Sequence, residues 1–239
     1  MATKSSVKWG RVLIDVCTQR DYLGNKAILQ VSNRDPLIEN LRKVFAWTQA
    51  AGVGVVSLVE SHRPTEMLAG FPLHCIDGTA GQEKLPFTLL DPRVLVEADN
   101  SLSLPPDLCE KHRQIIFRKR SRDVLGNPKA DRFLTQLPVE EMLIVGVGLE
   151  RAIKGLALGL LSRHQPVTVV LDACGYWSSA DADLSSRQLA AKGIKLMTVE
   201  ELLVRPTPRP RRVKPRVRAV RNRHHPAGGR ASSPATSKR

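Results

Sequence analysis

Acidic residues are missing from the last part of this 239-residue chain: residues 205–239 carry 12 Lys/Arg and six Pro but no Asp or Glu. That absence concentrates the formal charge of +14 in one segment, since residues 1–204 hold 25 basic and 23 acidic side chains. The segment also lacks aromatic residues and has almost no large apolar ones, so it cannot bury enough surface to fold alone. It reads as a disordered, Arg/Pro-rich tail on a body spanning residues 1–204. Without Phe, Trp or Tyr it has no platform on which bases could stack. Its Arg209, Arg211, Arg212, Lys214, Arg216, Arg218, Arg221 and Arg223 suit non-specific contacts to nucleic-acid phosphates, through counterion release and without base readout. A solubilising tail is the alternative.

Cysteine is scarce as well. The four present, Cys17, Cys75, Cys109 and Cys174, show no C-x-x-C spacing and suggest no disulfide framework. No apolar run reaches transmembrane length, and the first residues lack the apolar core of a secretion signal, so a cytoplasmic location, nucleoid-associated if the tail binds nucleic acid, is expected. No internal repeat is visible.

What is present is an alternation of apolar runs and helical patterns. Trp9–Val16 suits a buried parallel strand, and Asp35-Pro36 opens a helix to about Ala51, with Asp as cap and Pro in the first turn. Val53–Val59 is the second strand, and residues 60–112 are an irregular region longer than a simple connection needs. Strands follow at Gln114–Arg118, Met142–Val147, Val167–Leu171 and Ile194–Met197, with helices at Ala130–Leu137, 149–163, Leu184–Lys192 and after Thr198. The pattern predicts a three-layer α/β/α fold around a doubly wound parallel sheet of about six strands. Its site should lie beyond the carboxyl ends of the strands, where strand order reverses.

Four segments carry the chemistry. Residues 142–163, MLIVGVGLERAIKGLALGLLSR, place a Gly146-Val147-Gly148 turn between a strand and a helix, an arrangement that aims backbone N–H groups at one point. Residues 13–23 read LIDVCTQRDYL, residues 115–133 IIFRKRSRDVLGNPKADRF, and residues 59–84 VESHRPTEMLAGFPLHCIDGTAGQEK. Together they resemble the isochorismatase-like cysteine hydrolases, in particular the nicotinamidase-like branch. The resemblance spans about residues 8–203 and is most specific at 71–82, 119–128 and 144–148.

The resemblance implies an Asp–Lys–Cys triad in the family, and the chain departs from it twice. The lysine maps to Lys119. The nucleophile position maps to Ala152, whose methyl group cannot attack a carbonyl. With Gln19, Asp21 and Tyr22 aligned, the general-base position falls on Cys17; a two-residue shift would put Asp15 there instead, on the same face of an extended strand. Val147, Gly148 and Ala152 map to the backbone turn that would stabilise an oxyanion. The family's divalent-metal ligands map to Glu60, His62 and His74, a set suited to Zn, Mn or Fe. Oligomeric assembly, as a homo-oligomer, is also implied.

Three functions follow as expectations. The first is a non-catalytic member that binds a small amide-like ligand or a partner through the old pocket. The second is an amidohydrolase with displaced chemistry, using Cys17 and Lys119 or metal-bound water. The third is a nucleic-acid-associated protein acting through its tail.

Overall fold

The computed structural model describes residues 7–68, 70–99, 101–121, 123–206 and 211–212. A two-residue strand, β1 (Val7–Lys8), leads into β2 (Arg11–Val16), a short helix α1 (Arg20–Leu23) and the long α2 (Arg34–Ala50). There follow β3 (Gly54–Glu60), β4 (Arg93–Val96), α3 (Leu108–Lys111), β5 (Gln114–Lys119), α4 (Pro128–Gln136) and β6 (Glu141–Val147). A π-helical turn at Leu149–Ile153 runs into α5 (Lys154–Ser162), then come β7 (Val167–Gly175), α6 (Ser179–Ala191), β8 (Lys195–Met197), α7 (Val199–Leu203) and β9 (Arg211–Arg212).

Seven strands form one parallel sheet in the order β4-β5-β3-β2-β6-β7-β8. The central β2, β3 and β6 are almost wholly buried, which is why they read as largely apolar runs. The sheet has one strand more than the six expected. The extra strand, β4, is a four-residue edge strand with two exposed positions, too short and too wet to stand out within the irregular stretch.

Local chemistry sets the helix boundaries. α2 buries Leu37, Leu41, Val44 and Phe45 as a stripe at helical spacing. Its cap position is Asn33, not Asp35, and the Asn33 side chain is drawn to the end of β7, contacting Cys174 O at 3.0 Å and Tyr176 N at 3.1 Å. Asp35 lies in the first turn, paired with Arg34. α4 is capped by Asn127, whose side chain accepts from Lys129 N and Ala130 N, with Pro128 in the first turn. α6 begins at Ser179, five residues before the expected start, because Ser178 accepts from Asp181 N.

The body runs slightly past residue 204. Arg205 Nη1 lies 2.9 Å from the Glu141 carboxylate, and Arg11 Nη1 donates to Pro206 O at 3.0 Å. Arg211 and Arg212, expected in a disordered tail, form β9 and pair antiparallel with β1. Arg209, Lys214, Arg216, Arg218, Arg221 and Arg223 lie outside the described residues. No helix among the described residues is long and apolar enough to cross a membrane.

Candidate active site

β2 lies between β3 and β6, so the strand order reverses beside it. The sheet grows through β3, β5 and β4 on one side and through β6, β7 and β8 on the other, and a doubly wound sheet opens a crevice at the carboxyl ends there. Cys17 follows the last residue of β2 with a left-handed φ of 53°, and its N–H donates to Leu58 O at 2.9 Å. Glu60 and Lys119 end β3 and β5 as direct partners in register. On the β6 side Gly146, at φ 120°, must be glycine: a Cβ there would sit 2.0 Å from Val16 O. Val147 and Gly148 (φ 90°) then turn the chain into the π-helical turn that holds Ala152.

These elements enclose a small cavity of about 60 Å³. Its floor comprises Cys17, Glu60, His62, His74, Val147 and Ala152; aromatic walls come from Tyr22 and Trp177; Leu68, Phe71 and Arg151 form the rim. All the residues expected in the pocket meet here except Asp15, with Lys119 directly behind Glu60.

Glu60 is the hub. Its Oε1 accepts from the fully buried Lys119 ammonium, which also donates to Ser121 O at 3.1 Å. Its Oε2 accepts from the Tyr22 hydroxyl and faces His74 Nε2 at 2.9 Å and His62 Nε2 at 3.3 Å. Burial works to raise the Glu60 pKa, but the Lys119 charge and the hydrogen bonds from His62, His74 and Lys119 hold it well below the carboxylate norm. Burial opposes the Lys119 charge too, yet Cys17 and Glu60 lift its pKa above the usual lysine value.

The two histidines are held from behind. His74 Nδ1 lies 2.8 Å from Pro72 O, and His62 Nδ1 lies 2.8 Å from Glu66 Oε2. Both of those oxygens only accept, so each Nδ1 carries a hydrogen and each Nε2 is left facing Glu60 Oε2, a contact that lifts the His62 pKa above the usual imidazole value. An imidazole nitrogen this close to a carboxylate oxygen calls for a proton or a cation between the two atoms. Carboxylate and imidazole ligand atoms within 4.8 Å of one another, with the rings oriented by outer partners, fit a divalent metal site.

Cys17 has no comparable activation. Burial pushes its thiol up to about 12 against the pull of Lys119, leaving it protonated at neutral pH.

Asp15 is elsewhere. The left-handed turn at Cys17 breaks the period of two that would have put both side chains on one face. Asp15 is completely buried and paired with the Lys84 ammonium, with Ser57 Oγ at 3.0 Å and Thr18 Oγ1 at 3.1 Å. It ties the sheet to the 80s loop and lines no part of the cavity. Asp15→Asn should therefore cost about 2 kcal/mol of stability, the scale of a charged hydrogen bond. Metal and ligand binding should stay at the wild-type level, which urea denaturation and zinc titration of the same preparation would check.

The Gln19–Asp21–Tyr22 motif supports the site without being legible as such. Gln19 bonds both backbone groups of Glu60 at 2.8 Å, fixing the end of β3. Asp21 accepts from Cys75 N at 2.6 Å and so seats the loop that carries His74. Gly81 packs on that carboxylate, where a Cβ would clash at 2.2 Å. Sequence reasoning missed Arg151 and Trp177: Arg151 lies in the 142–163 segment but carries no role in the resemblance, and Trp177 belongs to none of the four segments.

The isochorismatase domain family matches residues 12–201. No curated protein shows significant similarity to the chain. Among solved structures, an isochorismatase-like hydrolase from Alkaliphilus metalliredigens is 20% identical with a TM-score of 0.65, covering 81% of this chain and 97% of that one. A pyrazinamidase of Pyrococcus horikoshii in complex with zinc is 20% identical, with a TM-score of 0.63 and coverage of 79% and 99%. An N-carbamoylsarcosine amidase from Thermoplasma acidophilum is 16% identical, with a TM-score of 0.61 and coverage of 80% and 96%. With the domain match running from β2 to α7, the chain belongs to the isochorismatase family.

Proposed function

We propose that this chain is a non-catalytic member of the isochorismatase family that binds a small ligand in the Glu60–His62–His74 pocket. The observation that carries this reading is the composition of the cavity floor. Its one side chain from the start of the π-helical turn and α5 is the methyl of Ala152, and its one sulfur is the protonated Cys17. A covalent acyl-transfer route needs a thiolate or activated hydroxyl at the reacting carbon, and neither side chain supplies one. The same protonated thiol counts against an amidohydrolase that would use Cys17 as a displaced nucleophile. The test is a hydrolysis assay of the wild-type protein, taken up in the Discussion.

Glu60, His62 and His74 would hold a divalent ion of the Zn, Mn or Fe class, and the zinc-bound pyrazinamidase relative supports this reading. Such an ion, when bound, acts as a Lewis acid that draws a ligand oxygen or nitrogen to the pocket floor. The chain's own residues do the rest: Lys119 neutralises Glu60, Tyr22 holds the carboxylate's orientation, and Glu66 and Pro72 fix the imidazole tautomers. The protein should take up one zinc per chain by equilibrium titration. Glu66→Gln, which weakens the acceptor behind His62, should lower zinc affinity about 10-fold.

The basic segment supports a second, independent role. Its 12 Lys/Arg without a single acid favour electrostatic binding of nucleic acid, as salt-dependent counterion release would produce.

A further inference from the structure

Arg151 is the charged residue at the pocket that the account so far leaves without work. Its guanidinium carbon lies 4.5 Å from the centre of the Phe71 ring and 5.6 Å from that of Trp177, the two rings being 6.5 Å apart. Trp177 is itself pinned: its indole N–H donates to Leu29 O at 3.2 Å and its backbone N–H to Glu150 Oε1 at 2.7 Å. Among the described residues no carboxylate lies within ion-pair distance of Arg151. A guanidinium held by two aromatic rings keeps its planar fork of donors oriented at little further entropic cost.

The charges of the pocket point the same way. Both oxygens of Glu60 are already committed, one to Lys119 and the other to Tyr22 and the histidines. Nothing acidic remains in the lining to balance Arg151, and a divalent ion on the floor would raise the imbalance. A neutral amide offers that charge no counter-charge, whereas a carboxylate would pair with the guanidinium bidentately.

We infer that the pocket selects a small planar carboxylate over the corresponding amide, with the acid group on Arg151 and the apolar body against the aromatic wall that Tyr22 and Trp177 form in edge contact. This inference rests on the reading of the cavity as a ligand site and names the ligand's chemical class. It also gives the Phe71–Trp177–Arg151 stack a function, that of a rim clamp separate from the floor.

The test uses matched acid–amide pairs, acetate with acetamide and benzoate with benzamide, titrated into the full-length zinc-loaded protein. Trp177 fluorescence and ligand-observed NMR would read binding, and ammonia release would be followed in parallel. Wild type should bind each acid about 5-fold more tightly than its amide, the upper end for an ion pair at an exposed rim. Arg151→Gln should bring the ratio of acid to amide affinity to about one, and Arg151→Lys should restore only part of the preference because an ammonium cannot form the fork. Because the Arg151 side chain is exposed at the rim, both variants should melt like wild type. Equal affinity for acid and amide, no binding of either acid, or an acid preference that survives Arg151→Gln would overturn the inference. Ammonia release from the amides would instead overturn the non-catalytic reading, so the two failures are read on separate signals.

Discussion

Cys17→Asp combined with Ala152→Cys should give this chain amide hydrolysis that neither substitution confers alone. A cysteine at 152 would sit in the turn that opens α5, where the helix N-terminus favours thiolate. It would face the cavity directly, because Ala152 already does. An aspartate at 17 would stand between that sulfur and the Lys119 side of the pocket, as a base for its proton. The backbone favours the change: Cys17 is left-handed at φ 53°, a region that Asp and Asn enter more readily than most residues. A thiol at 152 without the base, or the base without the thiol, should fall short of the pair by about 10²–10⁴-fold. Residues that act as a unit are strongly non-additive in this way. Ammonia release from nicotinamide or pyrazinamide by the zinc-loaded double variant, with both single variants at background, is the expected result.

The second large effect concerns stability. Glu60→Leu should destabilise the fold by roughly 3–5 kcal/mol, because it strands the buried Lys119 ammonium with only a backbone carbonyl as partner. Lys119→Met should cost less, since Glu60 would keep the Tyr22 hydroxyl and the two histidines. In the double variant, Leu and Met replace the pair with apolar volume, so much of the Glu60→Leu loss should return. Urea midpoints at constant slope, measured in chelator so that metal binding does not contribute, would give the coupling between the two positions. A double variant as unstable as the sum of the singles would mean that Glu60 and Lys119 do not act as a pair.

The fold was largely legible because its central strands are buried on both faces. RVLIDV, GVVSLVE and EMLIVGV carry few polar residues and could be placed to within a residue or two. β4 was not legible, because an edge strand with alternate positions in water has no such run. At the site, Lys119, Glu60, His62 and His74 were identifiable as members of long motifs. Asp15 was the error-prone position: strand periodicity put it beside Cys17, and the left-handed residue at 17 undid that relation. No sequence pattern announces a positive φ at a cysteine. Arg151 and Trp177 meet across 26 residues of chain, so their stacking with Phe71 is a tertiary fact that local spacing does not carry. The roles of Gln19 and Asp21 were hidden for the same reason, since each acts on backbone groups more than 40 residues away.

The central claim is that the pocket binds without turning over. The most direct measurement is ammonia release by the purified wild-type chain, supplied in turn with zinc, manganese and ferrous iron, against nicotinamide, pyrazinamide and simple aliphatic amides. The account predicts rates indistinguishable from metal and buffer alone for every combination. Metal-dependent release would contradict it: loss of that release in Cys17→Ser would make the site an amidohydrolase centre with a displaced nucleophile, and loss only in His74→Ala one that works through metal-bound water.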